Sequence, residues 1–338
     1  MMLSGFTDHY EGDSIMAIMN TRQAIESAMC IEMARDPKVF VIGEDVGRNG
    51  CSFGQFNALP DKFGDRRVVN TPLSEAAITG VGMGAAAYGL RPVVNHDFID
   101  FLGCCFDEIL NQIAKMRWMM GGQMTVPLTI NTFGGGGRNA AAHHSQSLEV
   151  FFTHMPGIKV VASSNPRDSK GLLASAIRDD NPVLVIHHWG LLGMEMDVPE
   201  DEYLTPIGKA NVAREGADVT IVSYSNTLNI CLDAANELNS KGISAEVIDL
   251  RSLVPLDKET IFKSLEKTNR LVISHEAIGA SGFGAEIAAV VAEEAMDLLD
   301  APIRRVVSPF THIPFNRDLE KSMFPDAVKI AEAVESIL

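Results

Sequence analysis

Short runs of Val and Ile that lack polar alternation, separated by stretches of helical period, constrain this chain more than any other feature. The first set of candidate strands comprises 39–42, 67–70, 92–94, 127–130, 159–161 and 182–186. Amphipathic stretches over 21–35, 107–120 and 168–178 lie between them. A strand apolar on both faces needs cover on both faces, and parallel strands need a crossover long enough to hold a helix. The pattern predicts an α/β fold on a parallel sheet. It pauses over 191–207, an acidic segment with two prolines and no period, which reads as a linker. It then restarts with strands at 219–222, 245–248, 271–273 and 303–307, and helices over 228–238, after Leu256 and over 283–299. The expected organisation is an N-terminal extension (1–15), a first α/β domain (16–190), the linker (191–207) and a smaller α/β domain (208–338).

A length of 338 residues suits two domains. The 28 Lys and Arg against 44 Asp and Glu give a net charge of −16. That balance argues against a nucleic-acid partner and suits a basic protein partner. The 5 cysteines include no CxxC pair. An odd count without such pairs argues against a disulfide framework or a zinc site, and for a reducing, cytoplasmic setting. Adjacent Cys104 and Cys105 read as two small buried residues. The opening residues have neither the basic nor the apolar region of a signal peptide.

The stretch TPLSEAAITGVGMGAAAYG (71–89) holds one carboxylate, Glu75, among small and apolar residues. Thr71 suits an N-cap and Pro72 the first helical position, so a buried helix is expected to start there. Gly80, Gly82 and Ala85 formally match the GxGxxA dinucleotide fingerprint, which would make the protein an NAD-dependent dehydrogenase. That chemistry needs the glycines in a strand-to-helix turn. A helix from Thr71 puts them inside it, as a thin face for close packing. Gly64-Asp65 followed by Arg66, with Asn95 further on, is an incomplete form of the GDG…N motif that holds Mg2+ and a diphosphate.

GEDVG (43–47), the 71–86 stretch, GLRPV (89–93), DFIDF (97–101), FDEILNQIAK (106–115), HSQS (144–147) and the run 157–183 occur in one order with short gaps. In this the chain resembles the β subunit of the thiamine-diphosphate-dependent E1 component of 2-oxo acid and acetoin dehydrogenase complexes, over about residues 16–338. The resemblance implies a pyrimidine-binding domain followed by a transketolase C-terminal-like domain. It also implies an α subunit that supplies Mg2+ and the diphosphate half of the site, in an α2β2 heterotetramer. A lipoyl acyltransferase, E2, would dock through its subunit-binding domain.

Residue by residue, the resemblance makes Glu75 the glutamate that hydrogen-bonds N1′ of the cofactor's aminopyrimidine, and His144 the active-site histidine. Leu73, Asp97 and Phe101 match positions that line the aminopyrimidine. Asp97 stands where the family has Gln or Met, Asn95 where it has Glu, and His187-His188 where a strand end has Glu. Some members bind K+ at positions matching Val126, Leu128, Thr129, Ala176, Asp179 and Asn181, although Asp and Asn are also ordinary in a turn before a proline such as Pro182. The segments 101–112 and 137–146 look more like acetoin dehydrogenase than pyruvate or branched-chain 2-oxo acid subunits. A non-catalytic scaffold subunit is the remaining alternative.

Overall fold

The protein is described by a computed structural model over residues 15–47 and 50–338. The expected N-terminal extension lies outside the described residues except for its last position. The chain forms two compact units. One takes in residues 15–134 and 151–207, and the other takes in 135–150 and 208–338.

The first unit begins with β1 (Met16–Asn20), β2 (Val39–Glu44), β3 (Val68–Thr71) and β4 (Arg91–His96). It continues with β5 (Thr129–Gly134), β6 (Lys159–Ala162), β7 (Val183–His188) and β8 (Glu195–Pro199). Strands β6-β7-β5-β4-β2-β3 pair in that order, all parallel. Their Val and Ile side chains are buried, apart from half-buried Val69 on edge strand β3, as two-sided cover requires.

Helix Thr21–Arg35 starts on a capping box between Asn20 and Gln23. Helix Pro166–Arg178 starts on Asn165, whose side chain accepts from the Asp168 amide. The two helices are tied by Glu32, fully buried, whose Oε1 accepts from Arg178 Nη2 at 2.7 Å. Arg35 also pairs with Glu32 at 2.9 Å, so two cations compensate this buried carboxylate.

Four expectations change in this unit. The acidic segment read as a linker contains β8, which pairs antiparallel with β1 and satisfies its backbone there. The helix expected from Thr71 spans Glu75–Ala87 instead, because Thr71 pairs with Glu44 at the end of β3 and stays extended. The stretch 107–120 is a π-helical turn, Glu108–Ile113, followed by an α-helix, Ala114–Met119. Of the two adjacent cysteines, only Cys105 is buried.

The glycines lie inside helix Glu75–Ala87, as expected, but they face two ways. A Cβ on Gly82 would strike Val94, whereas at Gly80 and Gly84 it would meet open space. Exposed Leu73, Val81 and Tyr88 accompany that open side.

The second unit holds β9 (Asn211–Arg214), β10 (Val219–Ser223), β11 (Ala245–Asp249), β12 (Ser252–Val254), β13 (Leu271–Ile278) and β14 (Arg304–Ser308). Strands β14-β13-β10-β11 are parallel, and β9 adds antiparallel to β11. Helix Asn226–Ser240 lays Leu228, Cys231, Ala235 and Leu238 in a core with Ile330 and Val334 of helix Ala327–Glu335. The helix expected over 283–299 ends at Glu294, where Ala295 leaves helical geometry at φ −145. Among the described residues, no helix is long and apolar enough to cross a membrane.

The two sides of the glycine face respond oppositely to an added methyl. Gly84→Ala should stabilise the isolated chain by about 1 kcal/mol through helix propensity. Gly82→Ala should destabilise it by about 1–3 kcal/mol through overpacking against Val94. Urea denaturation of the two variants checks both signs.

Candidate active site

Ligands of open parallel sheets gather beyond the carboxyl ends of the strands. Here those ends carry Glu44 on β2, Thr71 on β3 and Asp97 just past β4, with Glu75 heading the helix that follows β3. Burial is the main cause that raises the Glu44 pKa, and the neighbouring charges of Asp97, Glu75 and Asp45 raise it further. Burial also raises the Asp97 pKa, against hydrogen bonds from Ser52 and Asn95 that favour its charged form. Glu44 Oε2, Asp97 Oδ2 and Thr71 Oγ1 are buried without a hydrogen bond of ordinary geometry. A ligand with N–H or O–H donors would relieve that cost.

Leu73 and Phe101, the other residues expected to line the aminopyrimidine, lie in the same unit. Leu73, on the connection before Glu75, is 73% exposed. Phe101 sits in the 3-10 segment Ile99–Cys105 and packs edge-on against Phe98, with ring centroids 5.7 Å apart.

Asp97 is also the terminus of a buried polar chain. Asn95 Nδ2 donates to Asp97 Oδ1 at 3.0 Å, and Asn131 Nδ2 donates to Asn95 Oδ1 at 2.9 Å. His187 Nε2 lies 3.0 Å from Asn131 Oδ1, and its Nδ1 lies 2.9 Å from Ser163 Oγ. Asn131 Oδ1 can only accept, so the Nε2 position carries the imidazole proton and Nδ1 accepts from Ser163. From Ser163 onward each group therefore donates towards Asp97. Strand register makes the chain: Asn95 pairs with Asn131, and His187 lies two residues beyond Val185, the partner of Asn131. On the opposite face, the His188 side chain accepts from the Gly190 amide. The adjacent histidines thus point apart, and no group of three or more His, Cys, Asp or Glu suited to a metal occurs among the described residues.

His144 lies in the second unit, on the segment 135–150 that leaves β5. The sequence places this segment in the first domain; its hydrogen bonds to Glu276 and Glu320 place it with the second unit. His144 is half-buried and His143 exposed.

The positions matched to a K+ site meet at the turn after helix Pro166–Arg178. The two side chains among them are engaged: the Asp179 carboxylate pairs with Lys159 and accepts from Asn181, and Asn181 Oδ1 accepts from Arg117. Arg91 donates to the carbonyls of Ile177 and Asp179. Lys159 compensates the charge of Asp179. Sequence reasoning singled out neither Asn131, Glu276 nor Glu320; Glu44 sat unremarked within GEDVG.

The chain shares this architecture with known proteins. Residues 17–194 match the transketolase pyrimidine binding domain and residues 208–330 the transketolase C-terminal domain. A solved structure described as a split gene transketolase, inactive beta4 tetramer, superposes with a TM-score of 0.77 at 24% identity. It covers 94% of this chain and 97% of that one, and so shares the fold. These matches define a transketolase-like two-domain protein.

Closer relatives narrow the class. The β subunit of acetoin:2,6-dichlorophenolindophenol oxidoreductase from Bacillus subtilis is 45% identical, over 95% of this chain and 97% of that protein. The pyruvate dehydrogenase E1 component β subunit of Rickettsia felis is 43% identical (94% and 98%), and the 2-oxoisovalerate dehydrogenase β subunit of B. subtilis 40% (95% and 99%). The chain belongs to the family of E1 β subunits of 2-oxo acid and acetoin dehydrogenase complexes.

Burial lowers the His187 pKa to about 3. A histidine with a folded pKa below its unfolded value of about 6.5 contributes stability that is complete above that value and lost as pH falls below it. Buried His96, lowered to about 4, acts with the same sign. Asp97 and Glu44, with raised folded pKa values, act with the opposite sign, so the variant comparison isolates the histidine. Between pH 6.5 and 4.5, His187→Gln should reduce the pH dependence of folding stability by up to about 1.4 kcal/mol per pH unit. Denaturant titrations at several pH values would read this; equal slopes would contradict a neutral buried His187.

Proposed function

We propose that this chain is the β subunit of a thiamine-diphosphate-dependent E1 enzyme that cleaves acetoin and passes the two-carbon unit to the lipoyl group of an E2 partner. The observation that carries the reading is the cluster of buried, unpaired acceptor oxygens on Glu44, Asp97 and Thr71 around the helix that Glu75 heads. Those acceptors fit an aminopyrimidine, which brings N–H donors. Glu75 would hold a proton against N1′ of that ring, Leu73 would provide an apolar wall and Phe101 would pack against the ring face. When bound, thiamine diphosphate supplies the nucleophilic carbon and the electron sink. His144 would stabilise charge on the reacting group and assist acyl transfer.

An α subunit would complete the site with Mg2+ and the diphosphate contacts, since this sequence has no complete GDG…N motif. The exposed face of Leu73, Val81 and Tyr88, with room over Gly80 and Gly84, supports close packing against a partner chain and suits an α2β2 assembly. The acidic C-terminal region suits docking of a basic E2 subunit-binding domain.

The likeness of segments 101–112 and 137–146 to acetoin dehydrogenase subunits supports acetoin over 2-oxo acids. Acetoin is neutral and offers a hydroxyl donor. Its relatives' pyruvate and 2-oxoisovalerate chemistry is the rival outcome.

Turnover of the chain co-expressed with its α partner, measured on acetoin, pyruvate and branched-chain 2-oxo acids with an artificial electron acceptor, tests the proposal. Acetoin should be best, and Glu75→Gln should lower kcat by about 100-fold or more. A preference for a 2-oxo acid would reassign the substrate. A folded pair silent on every substrate would leave a scaffold.

A further inference from the structure

Four consecutive glycines, Gly134 to Gly137, open the segment that carries His144. Such a run has little stiffness of its own. Yet the segment is held by named hydrogen bonds. The Gly135 amide donates to the Gln146 carbonyl at 2.9 Å, closing the loop. The Gly136 amide donates to Glu276 Oε1 at 2.7 Å, and Ser147 Oγ donates to the same oxygen at 3.2 Å. The two oxygens of Glu320 are divided between two amides: Oε1 accepts from Gly137 at 2.9 Å and Oε2 from Asn139 at 2.8 Å. Glu320 is 1% exposed, so this carboxylate has left water and gained backbone donors instead.

The backbone at the clasp is one that needs outside support. Asn139 and Ala141 have φ of 56 and 59, left-handed values costly for residues with a Cβ, and His144 lies three residues after Ala141. Gly136 also lies so close to the Phe324 ring that a Cβ there would overlap it. Glu320 belongs to helix Arg317–Met323 and Phe324 follows that helix, so one element supplies both the clasp and the seat.

We propose that Glu320 is a positioning residue for His144: its carboxylate clasps the Gly137 and Asn139 amides and so fixes the strained turn from which His144 projects. The proposal rests on the reading that His144 acts in acyl transfer. Glu276 secures the same segment on its other side.

The experiment uses the chain co-expressed with its α partner and follows acyl transfer from acetoin to a lipoylated protein domain. In Glu320→Gln one oxygen still accepts, and an NH2 faces the other amide. Transfer should fall by about 10- to 100-fold in kcat, with KM for acetoin little changed. Hydrogen exchange at Gly137 and Asn139 should quicken, and Glu335→Gln, on a surface ion pair with Lys241, should match the unmodified enzyme.

The deciding comparison is a double-mutant cycle. If Glu320 acts through His144, Glu320→Gln should cost nothing further in a His144→Ala background. Equal cost in both backgrounds would overturn the proposal while leaving His144 its role. Unchanged transfer and exchange in Glu320→Gln would overturn it as well. If His144→Ala alone left transfer intact, the reading of His144 would fail and the proposal with it.

Discussion

A sheet of parallel strands covered on both faces can admit polar side chains to its interior only if they satisfy one another. That constraint shapes the first unit. Asn95, Asn131 and His187, on three neighbouring strands, form one chain of hydrogen bonds that ends on Asp97. An unpaired polar group at any of these sites would cost about 1–3 kcal/mol, so each member requires the next. Asn95, Asp97 and His187 are the positions where this sequence departs from the pattern it otherwise resembles. The structure makes them one unit of change: the imidazole is neutral, its tautomer set by Ser163 and Asn131, and its dipoles end on a carboxyl group at the strand ends.

What that carboxyl group meets is more negative charge. Behind burial, the charges of Asp97, Glu75 and Asp45 help raise the Glu44 pKa, and Asp45 helps raise that of Asp97. Desolvation favours the neutral forms of Glu44 and Asp97, whereas the polar chain favours the charged form of Asp97. A group balanced between these pulls can accept or share a proton, and it resists another anion. The second unit works differently. Its contribution is backbone rather than charge: carboxylates spent on the amides of a glycine-rich segment hold a histidine on a turn that would otherwise be free to move.

Much of the fold was legible because it follows from local pattern. The apolar runs became parallel strands, and the amphipathic stretches became the helices that cover them. The errors came from competition with longer-range pairing. Thr71 and Pro72 have the chemistry of a helix start, but the pairing of Thr71 with Glu44 holds them extended, and the helix begins at Glu75. The acidic segment after β7 has no period of its own, yet β1 gives it a strand partner. Glu75 and Asp97 could be read from a resemblance in their surrounding motifs. Asn131, Glu276 and Glu320 could not, since each becomes informative only when register or folding brings it to a partner more than thirty residues away. A glutamate on a short C-terminal helix carries no sequence sign that it clasps a loop near residue 140.

The central claim is that this chain supplies one half of a cofactor site, the half that receives an aminopyrimidine. Calorimetric titration of thiamine diphosphate with Mg2+ into the chain alone, the assembled pair and the pair carrying Glu75→Ala tests it most directly. Saturable binding confined to the pair, and weakened by Glu75→Ala, is the predicted result. Binding to the chain alone as tight as to the pair, or binding to the pair indifferent to Glu75, would contradict it.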